Sequence, residues 1–191
     1  MRASLALCGL MGLMVAAAAQ PMPAALISKC RGCHDSAQSA KMGAPRLNGQ
    51  NADYLAARLR SFRDPTVQSP HATFFMLDTN SELGDKDVHA LARYFADQPA
   101  TESAPSGNAA AEGDRLYHHG GDGVASCQAC HGTSGEGATA APRLAGQHSA
   151  YLRAQLEDFS MLTRFHAGMS RQTRMMNADQ IAALTAYLAK D

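Results

Sequence analysis

The sequence predicts an all-α protein made of two tandem copies of one small domain. Three observations carry that prediction. The pentapeptide C-x-x-C-H occurs twice, at Cys30-Arg31-Gly32-Cys33-His34 and at Cys127-Gln128-Ala129-Cys130-His131. The same offset of 97 positions carries Pro45-Arg46-Leu47 onto Pro142-Arg143-Leu144, Gly49-Gln50 onto Gly146-Gln147, Tyr54-Leu55 onto Tyr151-Leu152 and Phe62 onto Phe159, so the chain is internally duplicated. Apolar residues recur at helical spacing, and no segment alternates as a strand would.

The elements follow in order. Arg2, an apolar run from Leu5 to Val15, and Ala16–Ala19 before Gln20-Pro21 have the form of a secretory leader, residues 1–19, cleaved after Ala19. The run is too short to span a bilayer, which takes about 20 residues, so an exported protein without a transmembrane span is expected. The first domain covers 20–97. It opens on a truncated helix (Ala24 to Lys29), continues with a helix presenting Tyr54, Leu55, Leu59 and Phe62 on one face, and closes on one presenting Val88, Leu91 and Phe95. Residues 98–109 (QPATESAPSGNA) lack apolar periodicity and are rich in Pro, Ser, Gly and Ala, which marks a linker. The second domain, 110–191, repeats the scheme. Gly113, Leu116 and Tyr117 predict a short helix packing on the last one, Tyr151, Leu152, Leu156 and Phe159 the middle helix, and Ile181, Leu184 and Leu188 the final helix, with Asn177 and Gln180 placed as a capping box. Near the last helices the offset falls to 93, so four residues were gained or lost between the halves.

C-x-x-C-H is the spacing of c-type haem attachment: two thiols one helical turn apart form thioethers to one haem, and the adjacent His becomes an iron ligand. Cys30, Cys33, Cys127 and Cys130 are thus candidate attachment residues, His34 and His131 candidate metal ligands, and two covalently bound haem c groups the expected cofactors. A disulfide, a zinc half-site or a thioredoxin-like pair would use the same C-x-x-C. Each motif carries its own His, no other Cys follows the leader, and neither motif has the second His of a Cys2His2 zinc site. Domains of about 75–80 residues are small for an apolar core alone, and a covalent haem adds buried surface.

The remaining axial position is open to Met, His or nothing. Of the methionines after the leader, only Met76 and Met169 correspond through the repeat, and both are expected on the loop before the last helix. His71 and His166 share those loops but are unmatched; His118 and His119 are expected in an exposed Gly-rich loop. Pro45 and Pro142 each supply a carbonyl that could accept the ligand histidine's second N–H, and Arg46 and Arg143 could meet haem propionates.

Basic and acidic residues balance at 17 each, with no Lys/Arg cluster and no phosphate-cradling glycine run, so nucleic acid is not an expected partner.

The two C-x-x-C-H motifs, each followed by P-R-L-x-G-Q-x-x-x-Y-L, a Phe and a Met before the final helix, resemble the dihaem cytochrome c4 family over essentially the whole chain after the leader. The resemblance implies two class I cytochrome c domains related by a pseudo-twofold axis, two low-spin His/Met haems, and a periplasmic electron carrier serving a terminal oxidase or reductase, with transient donor and acceptor proteins and peripheral contact to a membrane oxidase or reductase. Asp35 in place of the family's Gly, the short first helix and the longer Pro70–Phe75 approach to Met76 depart from the pattern and set the first haem's surroundings apart. The competing classes are a dihaem enzyme, peroxidase-like or sulfur-compound oxidising, and an electron-transfer subunit of a larger oxidoreductase. A peroxidase needs an openable axial site, against which the equivalence of Met76 and Met169 counts.

Overall fold

The computed structural model describes residues 24–35, 38–63, 73–121, 123–138 and 141–191; the leader, its cleavage site and His71 lie outside them. The described residues form helices α1 (Ala24–His34), α2 (Ala52–Ser61), α3 (Thr73–Asn80), α4 (Asp85–Ala96), α5 (Gly107–His119), α6 (Gln128–His131), α7 (Ser149–Ser160), α8 (Ala167–Thr173) and α9 (Ala178–Leu188). Only two isolated β-bridges accompany them.

The helix boundaries have local causes. Asn51 caps α2, its side chain accepting from the Asp53 and Tyr54 backbone N–H groups at 2.9 and 3.1 Å. Such a cap stabilises a helix by about 1 kcal/mol. Asn177 and Gln180 form the reciprocal box that starts α9. Asp87 accepts from the Gly84 N–H and fixes the start of α4.

Two separate cores result. Leu55, Ala56, Val88, Leu91, Ala92 and Phe95 bury one, against which Cys30, Leu47 and Leu59 pack. Leu116, Tyr117, Leu152, Ala183, Leu184 and Leu188 bury the other, with Cys127, Leu144 and Tyr187 packed on it. In the second domain α5 crosses α9 so closely that a Cβ on Gly113 would stand 2.1 Å from the Ala183 carbonyl oxygen. Glycine is what permits that approach. Among the described residues of the first domain α1 contains no fully buried residue.

The halves are clasped by one motif used twice. The Gln147 side chain accepts from the Arg46 backbone N–H (2.8 Å) and donates to the Arg46 carbonyl (3.1 Å). The Gln50 side chain accepts from the Arg143 N–H (2.7 Å) and donates to the Arg143 carbonyl (2.9 Å). The two pairs exchange under the 97-residue offset, the self-complementary pattern of a twofold axis. The linker is tied down: Ser103 Oγ donates to the Leu188 carbonyl, the Ala104 N–H to the Ala189 carbonyl. Its last three residues, Gly107 to Ala109, already belong to α5.

Candidate haem sites

Both pentapeptides end a helix against their domain core. In the first half the motif is the last turn of α1. In the second, a loop separates α5 from the single turn α6, and Tyr117, fully buried, holds that turn by donating from its hydroxyl to the Gly132 carbonyl at 2.5 Å. None of the four motif cysteines is in a disulfide; Cys30 and Cys127 are half-buried, Cys33 and Cys130 exposed. Burial, assisted by the neighbouring Cys130, pushes the Cys127 thiol up to about 11, and burial also raises Cys30. That is opposite to the depressed thiol of a redox-active C-x-x-C. Nor do the described residues contain three or more His, Cys, Asp or Glu grouped as metal ligands, so a zinc half-site finds no second half.

The histidines are oriented alike. His34 Nδ1 lies 2.7 Å from the Pro45 carbonyl oxygen and His131 Nδ1 3.0 Å from that of Pro142. A carbonyl only accepts, so Nδ1 carries the proton and Nε2 keeps its lone pair for a metal. Burial lowers the pKa of both rings, opposed by the prolyl bond, and His166 lowers His131 further. Both rings are therefore neutral near pH 7, the form that ligates iron.

Met76 and Met169 sit inside short helices, the fourth residue of α3 and the third of α8, rather than on the expected loops. The difference arises from anchors that a pattern search does not weigh. His166 caps α8, its Nδ1 accepting from the Met169 N–H at 3.3 Å while its own N–H donates to Ser170 Oγ at 3.2 Å. Four residues beyond each Met stands a fully buried polar side chain, Asn80 or Thr173. Asn80 Nδ2 donates to the Leu59 carbonyl of α2, and Thr173 Oγ1 to the Met169 carbonyl at 3.0 Å. His118 and His119 close α5 instead of lying in a loop; His118 contacts the Thr133 and Asp114 carbonyls.

The arginines of the repeat turn toward the seam. Arg46 donates from its guanidinium to the Gly146 and Lys190 carbonyls at 2.8 and 2.6 Å. Arg143 donates to the Ala145 and Thr101 carbonyls and pairs with Glu102 at 2.9 Å. Gln50 and Gln147 were visible in the sequence only as part of a conserved spacing within the chain; their burial, 7 and 5 % exposed, is what the repeat signalled without explaining.

In each half, then, two cysteines three residues apart and outside any disulfide, with a neutral His of fixed tautomer, fit a covalently attached haem. Residues 110–190 match the cytochrome c family. Cytochrome c4 of Pseudomonas aeruginosa is 32 % identical over 190 residues, covering 94 % of this chain and 92 % of that protein. This chain belongs to the dihaem cytochrome c4 family. A cytochrome c4 structure from Acidithiobacillus ferrooxidans superposes with a TM-score of 0.79 at 30 % identity, covering 85 % of this chain and 98 % of that one. A protein of Stutzerimonas stutzeri named thiosulfate dehydrogenase electron acceptor is 35 % identical, over 87 % of this chain and 80 % of its own length. As a cytochrome c4 relative the protein has a two-domain class I cytochrome c fold and two covalently bound haem c groups. Among the described residues no helix is long and apolar enough to cross a membrane.

Proposed function

We propose that the protein is a soluble periplasmic electron carrier whose two haems are ligated by His34 with Met76 and by His131 with Met169. Cys30, Cys33, Cys127 and Cys130 form the thioethers. The Pro45 and Pro142 carbonyls fix the histidine rings, the Arg46 guanidinium reaches across to carbonyls of the second domain, and the Arg143 guanidinium holds the linker against its own domain. Haem iron supplies the one-electron chemistry; the protein orients its ligands, excludes water and leaves no axial place for a substrate. One observation supports this reading: each half has a His locked by a prolyl carbonyl and a Met on the short helix before its last helix, at positions equivalent through the repeat.

Donor and acceptor contacts should be transient, since a carrier must release each partner between electrons. The Stutzerimonas stutzeri relative supports a second reading of the donor, a sulfur-compound dehydrogenase for which this chain is the dedicated acceptor. Carbon monoxide added to the reduced protein and cyanide to the oxidised protein test the axial assignment. Filled sites leave both spectra unchanged over minutes; rapid binding at either haem favours the dihaem-enzyme reading.

A further inference from the structure

The C-terminal end of α5 grips the turn that follows the second haem motif. The Tyr117 hydroxyl donates to the Gly132 carbonyl, and the next residue, His118, reaches the adjacent Thr133 carbonyl with Nε2 at 3.0 Å. The other ring nitrogen turns back along the helix, where Nδ1 stands 3.0 Å from the Asp114 carbonyl oxygen and 3.2 Å from the Asp114 carboxylate. Two consecutive carbonyls after His131 are therefore held by two consecutive residues of α5.

This arrangement asks for more protons than a neutral ring has. A neutral imidazole carries one N–H, and its other nitrogen presents a lone pair. Here each nitrogen faces oxygens that only accept, a carbonyl on the Nε2 side and a carbonyl with a carboxylate on the Nδ1 side. With the proton on Nε2 alone, the Nδ1 lone pair points at the Asp114 carboxylate. With the proton on Nδ1 alone, the Thr133 carbonyl loses its donor. Only the imidazolium satisfies both sides. Around the ring, α5 adds Tyr117 and His119, with centroids 5.3 and 6.3 Å away, and α9 adds Tyr187 at 5.9 Å. Arg115 of α5 pairs with Glu112, and the Glu136 carboxylate of the loop after His131 accepts from the Ser134 N–H. The His118 side chain is 23 % exposed, so solvent protons reach it while water screens its contacts only in part.

We propose that His118 is a proton-binding site coupled to the second haem: bridged between Asp114 and the Thr133 carbonyl it binds a proton, and that proton favours reduction of the haem whose iron ligand, His131, lies two residues before Thr133. The inference rests on the dihaem reading. A positive charge close to a haem disfavours the ferric state, so the ferrous haem in turn tightens His118's hold on its proton by the same factor. Over the pH range in which His118 titrates, an electron arriving at the second haem from the donor protein is accompanied by uptake of a proton from solvent onto the ring. The first haem has no counterpart. Residues 20–29, which precede its motif, contain no His, Asp or Glu, and α1 runs into that motif without a break.

The test is a haem-resolved spectroelectrochemical titration in steps from about pH 5 to about pH 9, spanning the range in which an imidazole changes charge, on the unmodified protein and on His118→Gln, whose amide keeps a donor but carries no charge. At the acid end the second haem of the variant should have a reduction equilibrium about threefold or more below that of the unmodified protein, and the two should converge at the alkaline end. The first haem should be the same in both proteins. An offset that persists at every pH, appears at both haems or is absent overturns the proposal. Long-range proton–nitrogen NMR of the reduced protein reads the ring itself: both His118 nitrogens should carry protons at the acid end and one proton should leave within the range, whereas one neutral tautomer throughout overturns the site. If His118→Gln loads fewer than two haems, Asp114→Asn takes its place; with the carboxylate gone, the fall of the second haem's equilibrium should move to lower pH, and an unmoved fall overturns the proposal. Haem content of the unmodified protein separates the failures. Two haems without the pH-dependent offset sink only the proton site, whereas fewer than two sink the dihaem reading.

Discussion

Replacing Gln147 by Leu keeps its volume but deletes both bonds to the Arg46 backbone. The Arg46 N–H and carbonyl then lose their partners in a half-buried seam, each at about 1–3 kcal/mol when water cannot reach it. Taking the lower part of that range, since Arg46 is partly exposed, the docked arrangement loses about 2–3 kcal/mol, or ~30- to 150-fold in its equilibrium. The Gln50 half of the clasp remains, so the single variant should still be mostly docked. The double variant Gln50→Leu/Gln147→Leu should open, because the seam is then left with side-chain bonds from Arg46 and Asn51 and the Arg164 contact with Tyr54. Limited proteolysis across residues 98–109 and small-angle scattering report the opening, as faster cleavage and a larger radius of gyration. A double variant with unchanged cleavage rate and scattering refutes the claim that the repeated Gln–Arg pairs hold the domains.

Further outcomes follow from individual contacts. Gly113→Ala drives a Cβ into the Ala183 carbonyl, so α5 and α9 must separate; a loss of about 1–3 kcal/mol is expected, seen as a lower urea midpoint for the second haem's absorbance with the first unmoved. His148, 7 % exposed, has its pKa lowered by burial and by Arg46, only partly offset by Asp191, whose carboxylate at 3.7 Å from Nδ1 is too far for a hydrogen bond. Its folded value lies below the ordinary 6.5, so the unfolded chain binds the extra proton first; stability is fully present above pH 6.5 and falls as pH drops from there through the folded value. Urea unfolding at stepped pH should show that slope, and His148→Gln should flatten it; an identical slope in the variant removes His148 as the cause.

Much of this architecture was legible because the chain states it twice. The haem motifs, the helix faces of Tyr54–Phe62 and Tyr151–Phe159, the close approach of the Gly113 helix to the last one and the Asn177 capping box all depend on residues within one or two turns of each other, where spacing determines contact. What the spacing could not give was direction. Arg46 and Arg143 were recognisable as a pair, but the Arg46 guanidinium turns to carbonyls of the other domain and the Arg143 guanidinium to the linker, choices that tertiary contact makes. The helices around Met76 and Met169 are too short for a periodic signal, and their anchors, Asn80 on the Leu59 carbonyl and the His166 cap, are set by tertiary contact and by a residue type that rarely caps.

The central claim is that each haem has its own methionine, and proton NMR of the fully reduced protein tests it most directly, because the ring current of a low-spin haem shifts the methyl group of a bound Met far upfield. Two such methyl resonances are predicted, with Met76→Ala deleting one, Met169→Ala deleting the other, and each variant leaving the second haem low-spin. One resonance or none in the unmodified protein, or a variant that keeps both, contradicts the account.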